Sequence, residues 1–294
     1  MNLGQIHQSL SGFYDVMDEN GTLHRTRARG NFRNRNITPL VGDWVEFDDT
    51  GKYILKIRER KNSLVRPPIS NIDQAIVTTA AAQPAFSTNL LDRQLITLEI
   101  ANIRPVIYFT KTDLVDDSEY EAIAILAEYY RKIGYPTFLA RTPFEKDQLN
   151  QLIKVLANKE SVIMGQTGAG KSTLLNHLAP ELALKTGEIS KALNRGKHTT
   201  RKVGLLKVGE GLIADTPGFS SYDLMKTSAI DLTKYLPEFV EIGTNCRFRG
   251  CVHVNEPGCA VKAAVDEGEI VQSRYDNYLQ LYTMLKNQKP NYKK

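Results

Sequence analysis

The chain contains 294 residues, which is enough for two or three domains because single hydrophobic cores seldom grow much beyond about 250 residues. Its composition, 41% hydrophobic and 24% charged, is that of an ordinary globular protein, and no apolar run approaches the roughly 18–20 residues that a membrane helix needs. The first ten residues lack the basic start and apolar stretch of a secretory signal, so we expect a cytoplasmic protein.

The net charge of +5 is distributed unevenly along the chain. Residues 1–70 contain 11 Lys and Arg against 8 Asp and Glu, residues 71–223 contain 17 of each, and residues 224–294 contain 10 against 8. The surplus therefore lies outside the middle of the chain. This pattern is typical of a neutral catalytic domain between two modules that can meet a polyanion.

The N-terminal segment, residues 1–67, is predicted to form a small all-β barrel of the OB type. About five short alternating runs are separated by turn signals such as those at 19–21 and 49–51. Five arginines follow one another within 11 residues that contain no carboxylate of their own, and a strand would project the first three from one face: Arg25, Arg27, Arg29, Arg33 and Arg35. Two interpretations stay open, a solvated outer face and a phosphate-binding surface.

The next segment, residues 68–223, alternates apolar strands with helical patterns after a boundary at Pro67-Pro68. Such alternation predicts an α/β domain with a largely parallel sheet. The predicted strands are Ile72–Thr79, Pro105–Thr110, Thr137–Ala140, Glu160–Met164, Val203–Val208 and Gly211–Ala214. The predicted helices are Leu90–Asn102, Ser118–Ile133, Gln148–Leu156 and Lys171–Leu178.

A base-recognition motif, Thr110-Lys111-Thr112-Asp113, follows the second of these strands. One carboxylate can accept hydrogen bonds from both the N1–H and the exocyclic NH₂ of guanine, so Asp113 is the candidate for that role, and the aliphatic stem of Lys111 can cover the base. Thr110 stands where Asn is usual, and we expect it to hydrogen-bond locally with weaker bracing of the loop. The loop after Thr137–Ala140 is expected to be a second base-contacting loop, without assigned residues.

The strongest motif is a phosphate-binding P-loop between a predicted strand and a predicted helix. Its residues are Gly165, Gln166, Thr167, Gly168, Ala169, Gly170, Lys171 and Ser172, followed by Thr173. The glycines let successive backbone N–H groups point at phosphate oxygens at a helix N-terminus. Lys171 is expected to contact the β- and γ-phosphates, and the Ser172 hydroxyl to bind Mg²⁺.

Two further elements of a nucleotide hydrolase follow the P-loop. The polar segment 195–201 has the position of a switch loop, in which Thr199 and Thr200 are equal candidates for closing over Mg²⁺ and the γ-phosphate. Asp215 ends an apolar strand and can hold Mg²⁺ directly or through water, while Gly218 can offer its N–H to the γ-phosphate.

Phe219 stands where a Ras-like GTPase has the glutamine that orients the attacking water. A phenyl ring cannot perform that task, so we expect hydrolysis to stay slow until a partner completes the site. One hypothesis is that His198 helps to position the water. The alternative is that His198 packs within its loop or contacts RNA.

The three cysteines of the chain lie within 14 residues together with a histidine: Cys246, Cys251, His253 and Cys259. Three thiolates and one imidazole form a complete tetrahedral set for a structural zinc. Arg247 and Arg249 lie in the first loop of this knuckle, within reach of phosphates. An amphipathic helix is predicted over 271–285, with an aromatic stripe that we expect to pack in a core.

The order of the motifs is circularly permuted, since the base motif precedes the P-loop instead of following it. With TKTD, GQTGAGKST, GKHTT, DTPGF and the Cys/His cluster, the chain resembles the small-ribosomal-subunit-dependent GTPase A family of bacterial ribosome-assembly factors. The resemblance implies GTP hydrolysis, with GTP/GDP and Mg²⁺, stimulated by the small subunit during late maturation of its 16S rRNA region. We expect a monomer with three domains: an OB-like barrel (1–67), a permuted P-loop GTPase domain (68–223) and a zinc-binding, mostly helical domain (224–294).

Two other classes of function are compatible with a P-loop. A metabolic kinase or ATPase would need a site for an acceptor substrate and would not need the TKTD motif. A non-hydrolysing RNA-binding scaffold would use the nucleotide only structurally. The relative affinity for GTP and ATP distinguishes a kinase or ATPase from the GTPase interpretation. Turnover measured with and without small ribosomal subunits distinguishes the non-hydrolysing scaffold from it.

Overall fold

The computed structural model describes residues 2–30, 32, 37–65, 68–180, 203–215 and 227–288. Several positions singled out above lie outside the described residues: Arg33, Arg35, Pro67, the segment 195–201 with His198, Thr199 and Thr200, and both Gly218 and Phe219. Among the helices that the structure describes, none is both long and apolar enough to cross a membrane.

The N-terminal domain is a closed five-stranded barrel. Its strands are β1 (Asn2–Leu10), β2 (Phe13–Asp18), β3 (Leu23–Ala28), β4 (Trp44–Asp48) and β5 (Tyr53–Ile57). They follow the order β1-β2-β3-β5-β4, and β4 pairs back onto β1, so the sheet closes on itself. This confirms the predicted OB-like barrel. Its interior consists of alternate apolar side chains such as Ile6, Val16 and Phe47, all fully buried.

The arginine-rich strand presents its charges outward, as the two-residue spacing predicts. Arg25 and Arg27 are exposed on β3, which ends before Arg29. Arg25 Nε donates to Asp15 Oδ1 at 2.9 Å, and the Arg27 guanidinium lies 4.3 Å from the centre of the Phe13 ring. A carboxylate from the neighbouring strand therefore compensates part of the positive charge, which the local sequence alone does not reveal.

The α/β domain follows a short hairpin of β6 (Ser63–Leu64) and β7 (Ile69–Ser70). Its elements are β8 (Gln74–Ala80), α1 (Thr88–Ile100), β9 (Arg104–Thr110), α2 (Asp117–Lys132), β10 (Thr137–Phe138), α3 (Lys146–Leu156), β11 (Glu160–Met164), α4 (Lys171–Leu178), β12 (Val203–Val208) and β13 (Gly211–Asp215). The predicted elements are confirmed to within about three residues; β10 ends before Leu139.

The strands of this domain form one twisted sheet in the order β10-β9-β8-β11-β13-β12. All neighbouring pairs are parallel except β12 and β13. Because the carboxyl ends of parallel strands meet at one edge, the base motif after β9, the P-loop after β11 and Asp215 at the end of β13 share that edge. The sheet continues into the barrel through a ladder between β12 and β1.

The C-terminal domain contains a 3₁₀ turn (Asp231–Tyr235) and the helices α5 (Pro237–Gly243), α6 (Ala260–Asp266) and α7 (Gln272–Lys286). In the described part of this domain no strand occurs, as predicted. Tyr278 is fully buried on α7 and packs against Phe239 with ring centres 4.9 Å apart, so the aromatic stripe does contribute to a core.

Candidate nucleotide site and metal centre

The P-loop is shaped by backbone conformations that favour glycine. Gly165, Gly168 and Gly170 have φ angles of 144°, 83° and 86°. A Cβ atom on Gly165 would lie 2.2 Å from the carbonyl oxygen of Thr78 on the neighbouring strand β8. The loop can therefore follow this path close to β8 only with glycine at that position.

Lys171 is the first residue of α4 and folds its side chain back over the loop. Its Nζ donates to the carbonyl oxygens of Gly165 and Gln166, each at 2.8 Å. Burial lowers the pKa of the Lys171 ammonium below its ordinary value. The hydroxyl groups of Ser172 and Thr173 lie exposed in the first helical turn, where they can meet a metal ion or a phosphate.

The base motif is joined directly to the P-loop. Thr110, the last residue of β9, is fully buried, and its Oγ1 donates to the carbonyl oxygen of Ala169 at 2.8 Å. These residues are 59 positions apart in the chain. Thr110 therefore does form a hydrogen bond, but its acceptor lies in the P-loop and not in the local segment that we expected.

The rest of the base motif forms a short 3₁₀ turn, Thr112–Leu114. Lys111 precedes this turn with a φ of 56°, and its Nζ donates to the carbonyl oxygen of Gln83 in the loop between β8 and α1. Thr112 is fully buried, whereas the Asp113 carboxylate is exposed at the edge of the sheet, as a base-binding acceptor must be.

Two partners of this motif were not identified from the sequence. One is the Gln83 carbonyl, which no side-chain pattern could have indicated. The other is Arg141, which follows β10 and donates to the carbonyl oxygen of Thr112. Its only sequence signal is its place in the loop expected to contact the base.

Asp215, which is predicted to hold Mg²⁺, is described by its backbone position. Asp215 ends β13, which lies beside β11, and the backbone of Asp215 is paired with Gly204 on β12. The backbone of Asp215 therefore lies at the same sheet edge as the P-loop. Thr199, Thr200, His198 and Gly218 lie outside the described residues, so their roles stay predictions.

The four residues of the Cys/His cluster converge on one point between α5 and α6. The ligand atoms of Cys246, Cys251, His253 and Cys259 all lie within 4.8 Å of one another. His253 Nδ1 is 3.3 Å from Cys259 Sγ and 3.6 Å from Cys246 Sγ, and the cysteines form no disulfide. Such separations fit the edges of a tetrahedron around a zinc ion bound at about 2.0–2.3 Å.

The surroundings of the cluster also fit a bound cation. The backbone N–H of Ala260 donates to Cys246 Sγ at 3.3 Å, and Tyr275 holds the backbone of His253 through a 2.8 Å hydrogen bond to its carbonyl oxygen. Burial raises the pKa of the Cys251 thiol to about 12. The positive charge of a zinc ion would offset this shift and favour the thiolate, as in structural zinc sites.

Comparison with known protein families agrees with the motifs. The RsgA GTPase family model matches residues 57–225, and the RsgA N-terminal domain model matches residues 3–53. The chain is 58% identical to the small ribosomal subunit biogenesis GTPase RsgA 1 of Lactiplantibacillus plantarum, over 100% of this chain and 99% of that protein. It is also 58% identical to the corresponding protein of Limosilactobacillus reuteri, with 100% of both chains covered.

Two solved structures resemble the whole architecture. The circularly permuted GTPase YloQ matches with a TM-score of 0.81 and 42% identity, over 99% of this chain and 97% of that one. YjeQ from Thermotoga maritima matches with a TM-score of 0.80 and 32% identity, over 98% of this chain and 99% of that one. The fold, the motifs and the full-length similarity lead to one conclusion: this chain belongs to the RsgA GTPase family and is a GTP-hydrolysing enzyme with a circularly permuted GTPase domain.

Proposed function

We propose that this chain hydrolyses GTP to GDP and phosphate during late maturation of the 30S ribosomal subunit, and that this subunit stimulates the hydrolysis. The observation that carries the proposal is the 2.8 Å hydrogen bond from Thr110 to Ala169, which joins a guanine-specific motif to a phosphate-binding loop. One pocket can then hold both ends of a guanine nucleotide. The names of the relatives, small ribosomal subunit biogenesis GTPases, support the small subunit as the partner.

In this proposal the phosphates lie in the P-loop, residues 165–173. The backbone N–H groups and the ammonium of Lys171 bind the β- and γ-phosphates, and the Ser172 hydroxyl and Asp215 hold Mg²⁺. When bound, Mg²⁺ neutralises the charge that develops on the phosphates during transfer. Burial lowers the pKa of Lys171 and so disfavours its charged form. This charged form is stabilised again when an anionic phosphate replaces the carbonyl oxygens that Lys171 contacts here.

At the other end of the pocket, Asp113 accepts both guanine N–H groups, and the stem of Lys111 covers the base. Thr112, buried beneath them, anchors the turn. A site built to hydrogen-bond a ligand rejects an analogue that lacks the complementary groups, because its own polar groups are then left unpaired. This gives the specificity for GTP over ATP.

Hydrolysis is expected to depend on the ribosomal partner. Unassisted Ras-like turnover is on the order of 10⁻⁴ s⁻¹ even with the water-orienting glutamine, and a partner can raise it about 10⁵-fold. Phe219 replaces that glutamine here. We propose that Thr199 or Thr200 closes over the nucleotide, that Gly218 contacts the γ-phosphate, and that His198 helps to position water once the subunit is bound.

The flanking domains are the proposed contacts to rRNA. On the barrel, Arg25 and Arg27 are exposed on β3. On the zinc-binding domain, Arg247 and Arg249 are exposed, and the Arg247 guanidinium lies 5.4 Å from the ring centre of the exposed Phe248. Cations that bind phosphates beside an aromatic ring that can stack on a base suit RNA. A cytoplasmic, monomeric protein fits this role.

GTP turnover measured with and without small ribosomal subunits tests the proposal. We expect slow basal turnover and strong stimulation by small subunits, but not by large subunits. Equal turnover under all conditions would contradict the ribosome-dependent role, and absence of turnover would favour a non-hydrolysing scaffold. If His198→Ala leaves the stimulated rate unchanged, His198 has no part in positioning the water.

The nucleotide assignment is tested separately. Asp113→Asn should weaken the binding of guanine nucleotides and favour the binding of xanthine nucleotides, because the amide can donate to the additional oxygen of xanthine. A steep decrease of small-subunit affinity with salt is expected if the flanking arginines bind phosphates. Higher affinity for ATP than for GTP would instead favour a metabolic kinase or ATPase.

A further inference from the structure

We infer that Arg141 is a positioning residue for guanine recognition, holding together the two loops between which the base lies. The inference rests on the proposed assignment of Asp113 to guanine. Arg141 follows the short strand β10, whereas Asp113 follows β9, so the arginine reaches across from the neighbouring strand.

The guanidinium of Arg141 spans the turn that carries Asp113. Its Nη1 donates to the carbonyl oxygens of Thr112 and Val115, each at 3.0 Å. These carbonyls lie on the two sides of the 3₁₀ turn. In return, Thr112 Oγ1 donates to the carbonyl oxygen of Arg141 at 3.3 Å, so that the loops are joined by hydrogen bonds in both directions.

The arginine is itself fixed from the other side. Its Nη2 donates to Asp117 Oδ1 at 2.8 Å, at the start of α2, and its guanidinium carbon lies 5.1 Å from the ring centre of Tyr120. A planar group with several fixed donors suits this arrangement, whereas a lysine ammonium has neither the plane nor the fork. The side chain therefore occupies one geometry while 45% of its surface remains exposed.

This arrangement determines where the Asp113 carboxylate lies. Val115 is buried and Thr112 is fully buried, so the ends of the turn are anchored, while Asp113 itself is exposed between them. Fixing both carbonyls limits rotation of the turn, and thus keeps the carboxylate in a position to accept two N–H groups at once. Pre-organisation of this kind increases affinity for the ligand that makes both bonds.

The test compares GDP with IDP, which lacks only the exocyclic amine, by competition against a fluorescent GDP analogue. In Arg141→Ala we expect the dissociation constant for GDP to rise about tenfold, the effect of losing one hydrogen bond of a charged group. The preference for GDP over IDP should fall by about threefold or more. GDP can donate two hydrogen bonds to Asp113, whereas IDP can donate only one, so this preference reports how well the carboxylate is placed. Arg141→Lys should recover only part of the loss.

Arg131→Ala is the matched control. Arg131 also donates to a backbone carbonyl, that of Thr137 on β10 at 2.9 Å, and also pairs with an exposed carboxylate, Glu128, but it touches neither base-contacting loop. This variant should retain the full preference for GDP. In small-subunit-stimulated turnover, Arg141→Ala should raise KM for GTP and leave kcat unchanged, because Arg141 does not reach the phosphates.

The outcomes distinguish this inference from the nucleotide assignment. If Asp113→Asn changes base preference while Arg141→Ala weakens GDP and IDP equally, or not at all, Arg141 only stabilises the fold and the inference is overturned. If Asp113→Asn leaves guanine affinity unchanged, the assignment of Asp113 fails and the inference fails with it. Thermal unfolding of each variant shows whether the protein has folded.

Discussion

The two flanking domains are attached to the GTPase domain by different kinds of contact. At the barrel junction, β1 pairs with β12 through Gln8 and Ser9, and the apolar core runs from the barrel into the GTPase domain without interruption. At the helix junction, where α7 packs on α1, an apolar cluster that includes Ile96 of α1 also joins the two domains, but it is accompanied by a group of buried charges.

The centre of the helix junction is Arg274 on α7, which is 1% exposed. Its guanidinium contacts Asp92 on α1 at 2.6 Å and Glu238 on α5 at 2.7 Å. Asp92 also accepts hydrogen bonds from Tyr130 and Asn277, each at 2.7 Å. Burial alone would lower the pKa of Arg274, but the two carboxylates outweigh this and hold that pKa above its ordinary value.

The difference concerns how each junction responds to substitution. Backbone hydrogen bonds and a continuous apolar core spread the free energy over many residues, so single substitutions remove little of it. A buried ion cluster concentrates the free energy in a few groups, and removal of one group leaves the others charged and unpaired. We therefore expect the helix junction to be far more sensitive to single substitutions than the barrel junction.

The largest effect should come from removing zinc. Structural zinc contributes on the order of 10 kcal/mol in small zinc domains. Chelation of the zinc-loaded protein should therefore expose residues 240–288 to hydrogen exchange, while GDP affinity and the emission of Trp44, the single tryptophan, stay nearly unchanged. Cys259→Ser should behave likewise. Purified protein without stoichiometric zinc would refute the site, and parallel loss of GDP binding would show that nucleotide binding needs the folded C-terminal domain.

The next largest effect is expected for Arg274→Ala. This change leaves Asp92 and Glu238 buried without their cation, which costs about 3–5 kcal/mol. Hydrogen exchange of α7 should rise while the barrel, observed through Trp44, unfolds at the same urea concentration as before. Simultaneous replacement of all three charges, Arg274→Met with Asp92→Asn and Glu238→Gln, should recover most of the loss. No recovery would show that shape, not charge, governs this junction.

A smaller effect is expected at the barrel junction. Gln5 is buried on β1, and its Nε2 donates to Glu160 Oε1 at 2.8 Å and to the carbonyl oxygen of Gly42 at 3.2 Å. Gln5→Ala removes both hydrogen bonds and should lower the free energy of unfolding by about 1–2 kcal/mol. Urea unfolding followed through Trp44 measures this loss. A loss as large as that of Arg274→Ala would remove the contrast between the junctions.

The pH dependence of the same variant provides a second measurement. Burial raises the pKa of Glu160 above its ordinary value of 4.5, and the hydrogen bond from Gln5 opposes the shift. A raised carboxyl pKa stabilises the fold below pH 4.5, and this contribution is lost as pH rises through the folded-state pKa. Without the hydrogen bond from Gln5, the pKa of Glu160 is raised further. The loss of unfolding free energy in Gln5→Ala should therefore be larger at pH 7 than near pH 4.5.

Much of the fold follows from the sequence because its signals are local. The apolar runs of β8, β9 and β11 and the P-loop between β11 and α4 set the parallel sheet and its edge. The junctions do not follow in this way. Arg274 is one arginine in an amphipathic helix, and its partner Asp92 lies 182 residues earlier, so no spacing rule connects them.

The candidate site shows the same division. Asp113, Lys171 and Asp215 could be proposed as site residues from the sequence because their motifs are short and contiguous. Thr110 was recognised as a departure from Asn, but its acceptor Ala169 could not be predicted, since that contact depends on how closely β9 and the P-loop approach. The contacts of Arg141 could not be predicted for the same reason, as its partners Thr112 and Val115 contribute backbone carbonyls, which carry no sequence signature.

The smallest predicted effect lies away from both junctions, at His24 on the barrel. Its Nε2 donates to Asp18 at 2.9 Å and its Nδ1 donates to Asp49 at 2.7 Å, which requires the protonated ring. Both hydrogen bonds raise the pKa of His24 above its ordinary value of 6.5, and the bond to Asp18 contributes most. The same bond is the main cause of the lowered pKa of Asp18.

The raised pKa of His24 stabilises the barrel below pH 6.5, and this contribution is lost as pH rises through the folded-state value. The lowered pKa of Asp18 stabilises the barrel above its ordinary value of 3.8, and this stabilisation is lost as pH falls through the folded-state pKa. His7 acts in the opposite direction to His24, because burial lowers its pKa. The measurement is the difference in unfolding midpoint between the original protein and His24→Gln, followed through Trp44. Taking this difference cancels the pH dependence that His7 and other groups contribute to both proteins. The difference should be largest between pH 3.8 and 6.5 and shrink on both sides, and a difference independent of pH would show that the pKa of His24 is the same in the folded and the unfolded protein.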